Sequence, residues 1–176
     1  MVSVDATGHS GGLAFLWRNK DEVSLCSLNK NHIDVMVTMN SNTIFRLTGV
    51  YGEPDRSKRQ ETWSLLRNLA SYNSAPWCLI GDMNNVLSQA DKKGGRPYPA
   101  GLVQGFQDVV HDCELIDMHM EGYQFTWEKG LGINRHTEIR LDRALVTQTF
   151  LDLFKEAKLT NLEISTSDHS PLWLEP

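Results

Sequence analysis

Cysteine is scarce in this chain, and so is any excess of positive charge. The three cysteines, Cys26, Cys78 and Cys113, are odd in number and far apart, and each sits within an apolar pattern. That usage predicts reduced core thiols and argues against a disulfide framework or a zinc site. No apolar run approaches the ~20 residues that cross a bilayer. The opening stretch MVSVDATGHSGG has neither a basic start nor a long apolar core, so it does not read as a secretory signal. An intracellular protein, nuclear or cytoplasmic, is therefore expected. Lysine and arginine total 17 against 22 aspartate and glutamate, a net charge of -5. Such a balance disfavours a passive nucleic-acid coat, but not an enzyme that handles phosphodiesters at one local cationic cleft.

What is present suits an ordinary globular chain: 176 residues, 40% hydrophobic and 22% charged, enough for one well-cored domain over residues 1–176. GLAFLWR (12–18) reads as a buried strand, HIDVMVTM as a half-buried one with Ile33, Val35 and Val37 on one face, and TIFRLTGVY (43–51) as a third. SKRQETWSLLRNLASY keeps helical spacing through Trp63, Leu66 and Leu69, with Ser57 and Gln60 as a capping box. PWCLIGD is a short apolar strand, and a second helix places Leu102, Phe106, Val109, Val110 and Cys113 on one face. Short strands follow at 123–127, 138–146, 158–165 and 171–174, with a short helix near 148–155. About eight strands and two main helices, not alternating regularly, predict an α+β layered domain.

Four polar clusters stand out. In CLIGDMNNVL (78–87) an apolar strand ends in Asp82, Asn84 and Asn85. There an Asp can activate water and an Asn can hold a phosphate, while a self-bonded turn is the plainer reading. STSDHSPLWL sets Asp168 beside His169, a metal ligand next to a general acid or base, or simply loop composition. In EIRLDRALV, Arg140, Asp142 and Arg143 interleave with apolar residues and call for partners, either an internal Arg–Asp pair or a phosphate. Tyr51 precedes GEPDRSKR, whose Arg56, Lys58 and Arg59 form either a solvated helix start or a phosphate-attracting patch.

Taken in order, Tyr51, GDMNN, FTW, RLDRALV and SDHSPL resemble the endonuclease/exonuclease/phosphatase superfamily. SGGLAFLW, GVYGEPDRSKRQETWSLLRNL, PWCLIGDMN, DKKGGRPYP and LDRALV are closer to the apurinic-type endonuclease domain of plant LINE (non-LTR) retrotransposons. The resemblance implies a four-layer α/β sandwich, two packed mixed sheets flanked by helices. It also implies phosphodiester hydrolysis, specifically DNA nicking, with Mg²⁺ or Mn²⁺. Asp82 would activate the attacking water and Asn84 would contact the scissile phosphate. His169 would stabilise the phosphorane, with Asp168 orienting it or binding the metal, and Tyr51 would donate to the phosphate or leaving oxygen. Trp127 and the strand of Arg140 and Asp142 would support the cleft. Arg56, Lys92, Lys93 and Arg96 would flank the nucleic acid, as would Arg135 in a DNA-probing hairpin between Glu128 and Thr137.

The same resemblance implies an earlier Asn-bearing strand and a metal-binding Glu, neither of which MVSVDATGH contains. Expectations follow for a domain truncated at its N-terminus and lacking its first strands. Mg²⁺ would be held weakly, and a homodimer or partner chain would cover the gap. Two other functions stand beside the nuclease. One is an inactive nucleic-acid or protein binding module, and the other is a scaffold whose Asp82 and His169 do metal-free acid–base work on a small molecule.

Overall fold

The computed structural model describes residues 1–7, 10–39, 43–130, 136–162 and 167–176. In chain order these form β1 (Val2–Thr7), β2 (Ser10–Phe15), β3 (Val23–Asn29), β4 (His32–Met39), β5 (Thr43–Tyr51), α1 (Arg59–Tyr72) and β6 (Trp77–Asp82). Then come β7 (Lys92–Lys93), α2 (Ala100–Asp112), β8 (Ile116–Asp117), β9 (Met120–Glu121), β10 (Trp127–Lys129), β11 (Thr137–Ile139) and β12 (Asp142–Val146). α3 (Gln148–Leu153), β13 (Lys158–Asn161) and β14 (Leu172–Glu175) complete the order. No helix among the described residues is long and apolar enough to cross a membrane.

The architecture is α+β, as the sequence predicts. A six-stranded mixed sheet runs β3-β4-β5-β6-β12-β8, and only its β5–β6 neighbours are parallel. A three-stranded mixed sheet, β14-β13-β9, faces it, and β7, β11 and β10 make a small third sheet. β1 and β2 pair with each other as a hairpin. Sequence reading does not anticipate β1, although Val2, Val4 and Ala6 alternate as a strand requires.

Alternation in β5 explains the layering. Phe45 points with Cys78, Ala144 and Val146 into a core shared with Met118, Met120 and Leu159 of the smaller sheet side and with Phe150 of α3. On the opposite face, Val50, Leu79 and Leu145 pack under Leu66 and Leu69 of α1 and Phe106 and Val109 of α2. That helix-facing layer also buries charge. Arg46 grips Asp34 through Nε and Nη2, at 2.9 and 3.0 Å, and donates from Nη1 to the Leu69 carbonyl at 2.7 Å. Thr48 donates to the same carboxylate, and the Trp77 ring lies 4.6 Å from the guanidinium. Buried charges persist only when paired and hydrogen-bonded in this way.

Two local expectations are revised. Ser57 does not open the α1 capping box; its backbone N–H and hydroxyl both donate to Asp55, two residues earlier. A capping box does form, at Ser88 and Asp91. The second revision concerns the charged strand. Arg143 is fully buried and bonds Asp91 at 2.6 Å and Asp117 at 2.7 Å, tying the 88–91 turn and β8 to β12. The internal Arg–Asp pair is thus real, but the acids come from other elements and not from Asp142.

Candidate functional site

The ends of β5, β6 and β12 meet at one rim of the larger sheet. In the ladder Tyr51 lies beside Asp82, and Asp142 lies opposite Asp82, so all three share the face turned toward the smaller sheet. Backbone contact fixes this row. Gly81 has φ +139°, and a Cβ there would fall 2.2 Å from the Val50 carbonyl oxygen. At Gly52 a Cβ would fall 2.4 Å from the Met83 oxygen, while the Gly52 N–H donates to the Asp82 carbonyl at 2.6 Å. Only glycine permits two strands to approach so closely.

Beyond Asp82 the chain turns through Asn84, which sits at φ +49° in the left-handed region that Asn tolerates. Its backbone N–H and its side-chain amide donate to the two Asp82 oxygens, each at 2.7 Å, and the amide also reaches the Gly52 carbonyl at 2.9 Å. Asn85 points inward instead, nearly fully buried, and accepts from the Tyr98 hydroxyl at 3.2 Å. The polar triplet therefore has two jobs: it makes the turn, and it holds the Asp82 carboxylate in one orientation.

His169 arrives from the other side. The Ser170 N–H donates to the Thr126 carbonyl, the Glu128 N–H donates to the Asp168 carbonyl, and a lone bridge joins His169 to Trp127. Trp127 Nε1 donates to Asp168 at 3.1 Å. Nδ1 of His169 lies 2.9 Å from Asp142 Oδ2, and the Asp142 and Leu141 N–H groups both donate to the Thr126 hydroxyl, at 2.9 and 3.0 Å. Bonding of Nδ1 to a carboxylate leaves Nε2 as the ring's outward-facing nitrogen. Asp82, Asp142 and His169 line one cavity of about 580 Å³, together with Ile80, Gly81, Ser167, Ser170, Pro171 and Leu172.

The electrostatics of the site follow from that crowding. Burial, reinforced by the neighbouring Asp142 carboxylate, pushes the Asp82 carboxyl up to about 6, against the lowering pull of Asn84, His169 and Arg59. The hydrogen bond to Asp142 raises His169 above the ordinary imidazole value, outweighing burial, and the fields of Asp142, Asp82 and Asp168 add to it. A carboxylate titrating near 6 beside an imidazole raised above its ordinary value can pair a general base with a charge stabiliser.

Sequence reading misses two contributors. It gives Asp142 only a supporting place in the cleft, yet this is the residue that holds His169. The signal lies in LDRALV, where Asp142 shares parity with the inward-facing Ala144 and Val146. Arg59, read as part of either a solvated helix start or a phosphate-attracting patch, is buried, donates to the Tyr98 hydroxyl and the Pro54 carbonyl, and places its field on Asp82.

The remaining described candidates lie outside the cavity lining. Tyr51 is half-buried beside Asp82. Arg140, expected at the phosphate, instead bonds Asp117 and the Met118 carbonyl, both at 3.2 Å. Lys93 pairs with Glu138 at 2.8 Å, and Lys92 donates to the Gly94 carbonyl. Arg56 stacks over the Tyr98 ring, 5.2 Å from its centroid, and Arg96 is exposed. Arg135 lies outside the described residues.

The expected Mg²⁺ or Mn²⁺ finds no ready ligand set. Among the described residues no three His, Cys, Asp or Glu side chains converge to hold an ion. Asp168 Oδ2 is engaged by Trp127, Asp142 Oδ2 by His169, and both Asp82 oxygens by Asn84. Near-octahedral oxygen coordination does not fit side chains so committed.

No protein-family model matches the sequence, and no curated protein matches it. Solved structures do. The endonuclease domain of TRAS1, a telomere-specific non-LTR retrotransposon, superposes with a TM-score of 0.66 at 18% identity, over 89% of this chain and 69% of that one. The fold is shared with that endonuclease. An endonuclease/exonuclease/phosphatase family protein from Leptotrichia buccalis matches with a TM-score of 0.49 at 15% identity, over 82% of this chain and 53% of that one. A humanized D. rerio TDP2 matches with the same score and identity, over 88% and 68%.

Proposed function

We propose that this chain is an endonuclease-like phosphodiester hydrolase, nicking DNA at the Asp82–His169 cavity. The observation that carries the reading is the convergence of Asp82, Asp142 and His169, from three separate stretches of chain, on one cavity in a fold shared with a retrotransposon endonuclease. Asp82 takes a proton from water as the water oxygen bonds to phosphorus. Nε2 of protonated His169 donates to a phosphoryl oxygen as negative charge gathers there. Asn84, whose amide hydrogens bond Asp82 and Gly52, holds the base in place, and Tyr51, beside Asp82, donates its proton to the leaving oxygen as that oxygen's bond to phosphorus breaks. Asp142 fixes the His169 ring. A homology to plant LINE endonucleases belongs to the same proposal.

Nicking of supercoiled plasmid, run with Mg²⁺, with Mn²⁺ and with chelator, tests it beside the Asp82→Ala and His169→Ala variants. The expected result is conversion to open circles that each substitution slows by roughly 10²–10⁴-fold, the usual worth of a general acid or base. Cutting that survives both substitutions would refute the assignment, and DNA binding without cutting under every ion condition would show a binding module.

A further inference from the structure

We propose that Tyr98 is a positioning residue for Asp82: its hydroxyl joins the Asn84 turn to the Arg59 guanidinium and so holds the turn that orients the carboxylate. The inference rests on the proposed function, since Asp82 is the general base of that reading, but its decisive test needs no substrate. Tyr98 lies in the loop between β7 and α2 and does not line the cavity. Its link to the carboxylate runs through two neighbours.

Packing fixes the ring. Tyr98 is 4% exposed and packs with Val86, Ile139 and Leu141, while the Arg56 guanidinium lies over its face. Gln89 engages both polar atoms of its backbone. The Gln89 amide donates to the Tyr98 carbonyl at 2.8 Å, and the Tyr98 N–H donates to the Gln89 side-chain oxygen at 3.0 Å. A residue held in this way has little freedom left, and its hydroxyl offers neighbours a fixed partner.

The hydroxyl hydrogen faces two acceptors, the Asn84 carbonyl and Asn85 Oδ1, each at 3.2 Å, and Arg59 Nη1 donates to the hydroxyl oxygen at 3.2 Å. Asn84 stands at φ +49°, a conformation that a non-glycine residue keeps only where its surroundings hold it. Tyr98 therefore grips by its carbonyl the same residue whose N–H and carboxamide hold the two Asp82 oxygens. Arg59, the other residue bonded to the hydroxyl, brings positive charge toward that carboxylate. Both neighbours favour the ionised form of Asp82, as does His169 from the C-terminal segment, while burial and Asp142 on β12 oppose it. The hydroxyl is thus the joint between two of the groups that keep the base charged.

NMR titration of the Asp82 carboxyl in the intact chain, assigned with Asp82→Asn, tests the proposal in Tyr98→Phe. Phenylalanine keeps the packed ring and the backbone bonds to Gln89 and removes the hydroxyl alone. The Asp82 titration is expected to rise by roughly half a pH unit, on the scale of one net hydrogen bond. In plasmid nicking, the acid limb of the pH profile is expected to move up with it, with kcat reduced and KM unchanged. Tyr123→Phe, which deletes a hydroxyl bonded to Glu138, is expected to leave the titration where it is. An Asp82 titration that does not move in Tyr98→Phe overturns the proposal, as does an equal rise in Tyr123→Phe. Absence of nicking beside a rise confined to Tyr98→Phe would refute the hydrolase reading and uphold the hold of Tyr98 on Asp82.

Discussion

At the scale of single residues, the site is a contest among three charges. Asp82 and Asp142 stand opposite each other on adjacent strands, and His169 bonds one of them while feeling the field of both. Asp142 takes the imidazole and keeps its proton on, whereas Asp82, desolvated and facing a like charge, is left with a carboxyl near 6. The signs predict the pH profile. Hydrolysis rises as pH climbs through about 6 and Asp82 loses its proton, then falls as His169 loses its own above the usual imidazole range. Asp142→Asn removes the largest cause of the His169 shift, so its alkaline limb moves to lower pH and the maximum drops by roughly a hundredfold. A rate–pH profile, with the His169 ring titrated by NMR, checks both effects; an alkaline limb that stays in place would show that Asp142 does not tune the imidazole.

At the scale of elements, glycine positions separate helix propensity from packing. Gly105 sits in α2 where a Cβ would fall 2.3 Å from the Trp63 ring of α1, whereas a Cβ at Gly101 meets nothing within 4 Å. Alanine gains about 1 kcal/mol over glycine in a helix, but overpacking costs about 1–3 kcal/mol. Gly101→Ala is therefore expected to stabilise the chain by up to about 1 kcal/mol and Gly105→Ala to destabilise it by about 1–2 kcal/mol, read from urea midpoints. Those helices are legible in the sequence because the Leu66–Leu69 and Phe106–Val109 spacings record one buried stripe each. β5 and β6 are legible for the analogous reason. The two-residue strands β7, β8 and β9 are not, since pairing partners far along the chain define them and no local period does. The same limit hides the hydrogen bond from His169 to Asp142, which spans 27 residues. In the sequence Asp142 sits between two arginines and reads as their partner, and only the register of β12 against β6 and β8 assigns those arginines elsewhere.

At the scale of the whole molecule, acidity and internal pairing limit how the chain grips a polyanion. Lys93, Arg140, Arg143, Arg46 and Arg67 all face carboxylates of the chain itself. Arg56, Lys92 and Arg96 remain as the expected phosphate contacts that form no ion pair among the described residues. With about three such contacts, the slope of log affinity against log salt for duplex DNA is expected near -3, and shallower if fewer engage. Titration across salt concentrations checks this; a slope like that of a six- to ten-contact binder would mean that internal pairs open on binding.

The close approach of Gly81 to Val50 and of Gly52 to Met83 has a consequence for how such a molecule diversifies. Where main chain touches main chain, no larger side chain can enter without separating the strands that carry Tyr51 and Asp82. The floor of the proposed active site is thereby fixed, and under the proposed function a change of substrate preference has to be written in the cavity's lips, at Ser167, Ser170, Pro171 and Leu172, where side chains can vary without moving that floor.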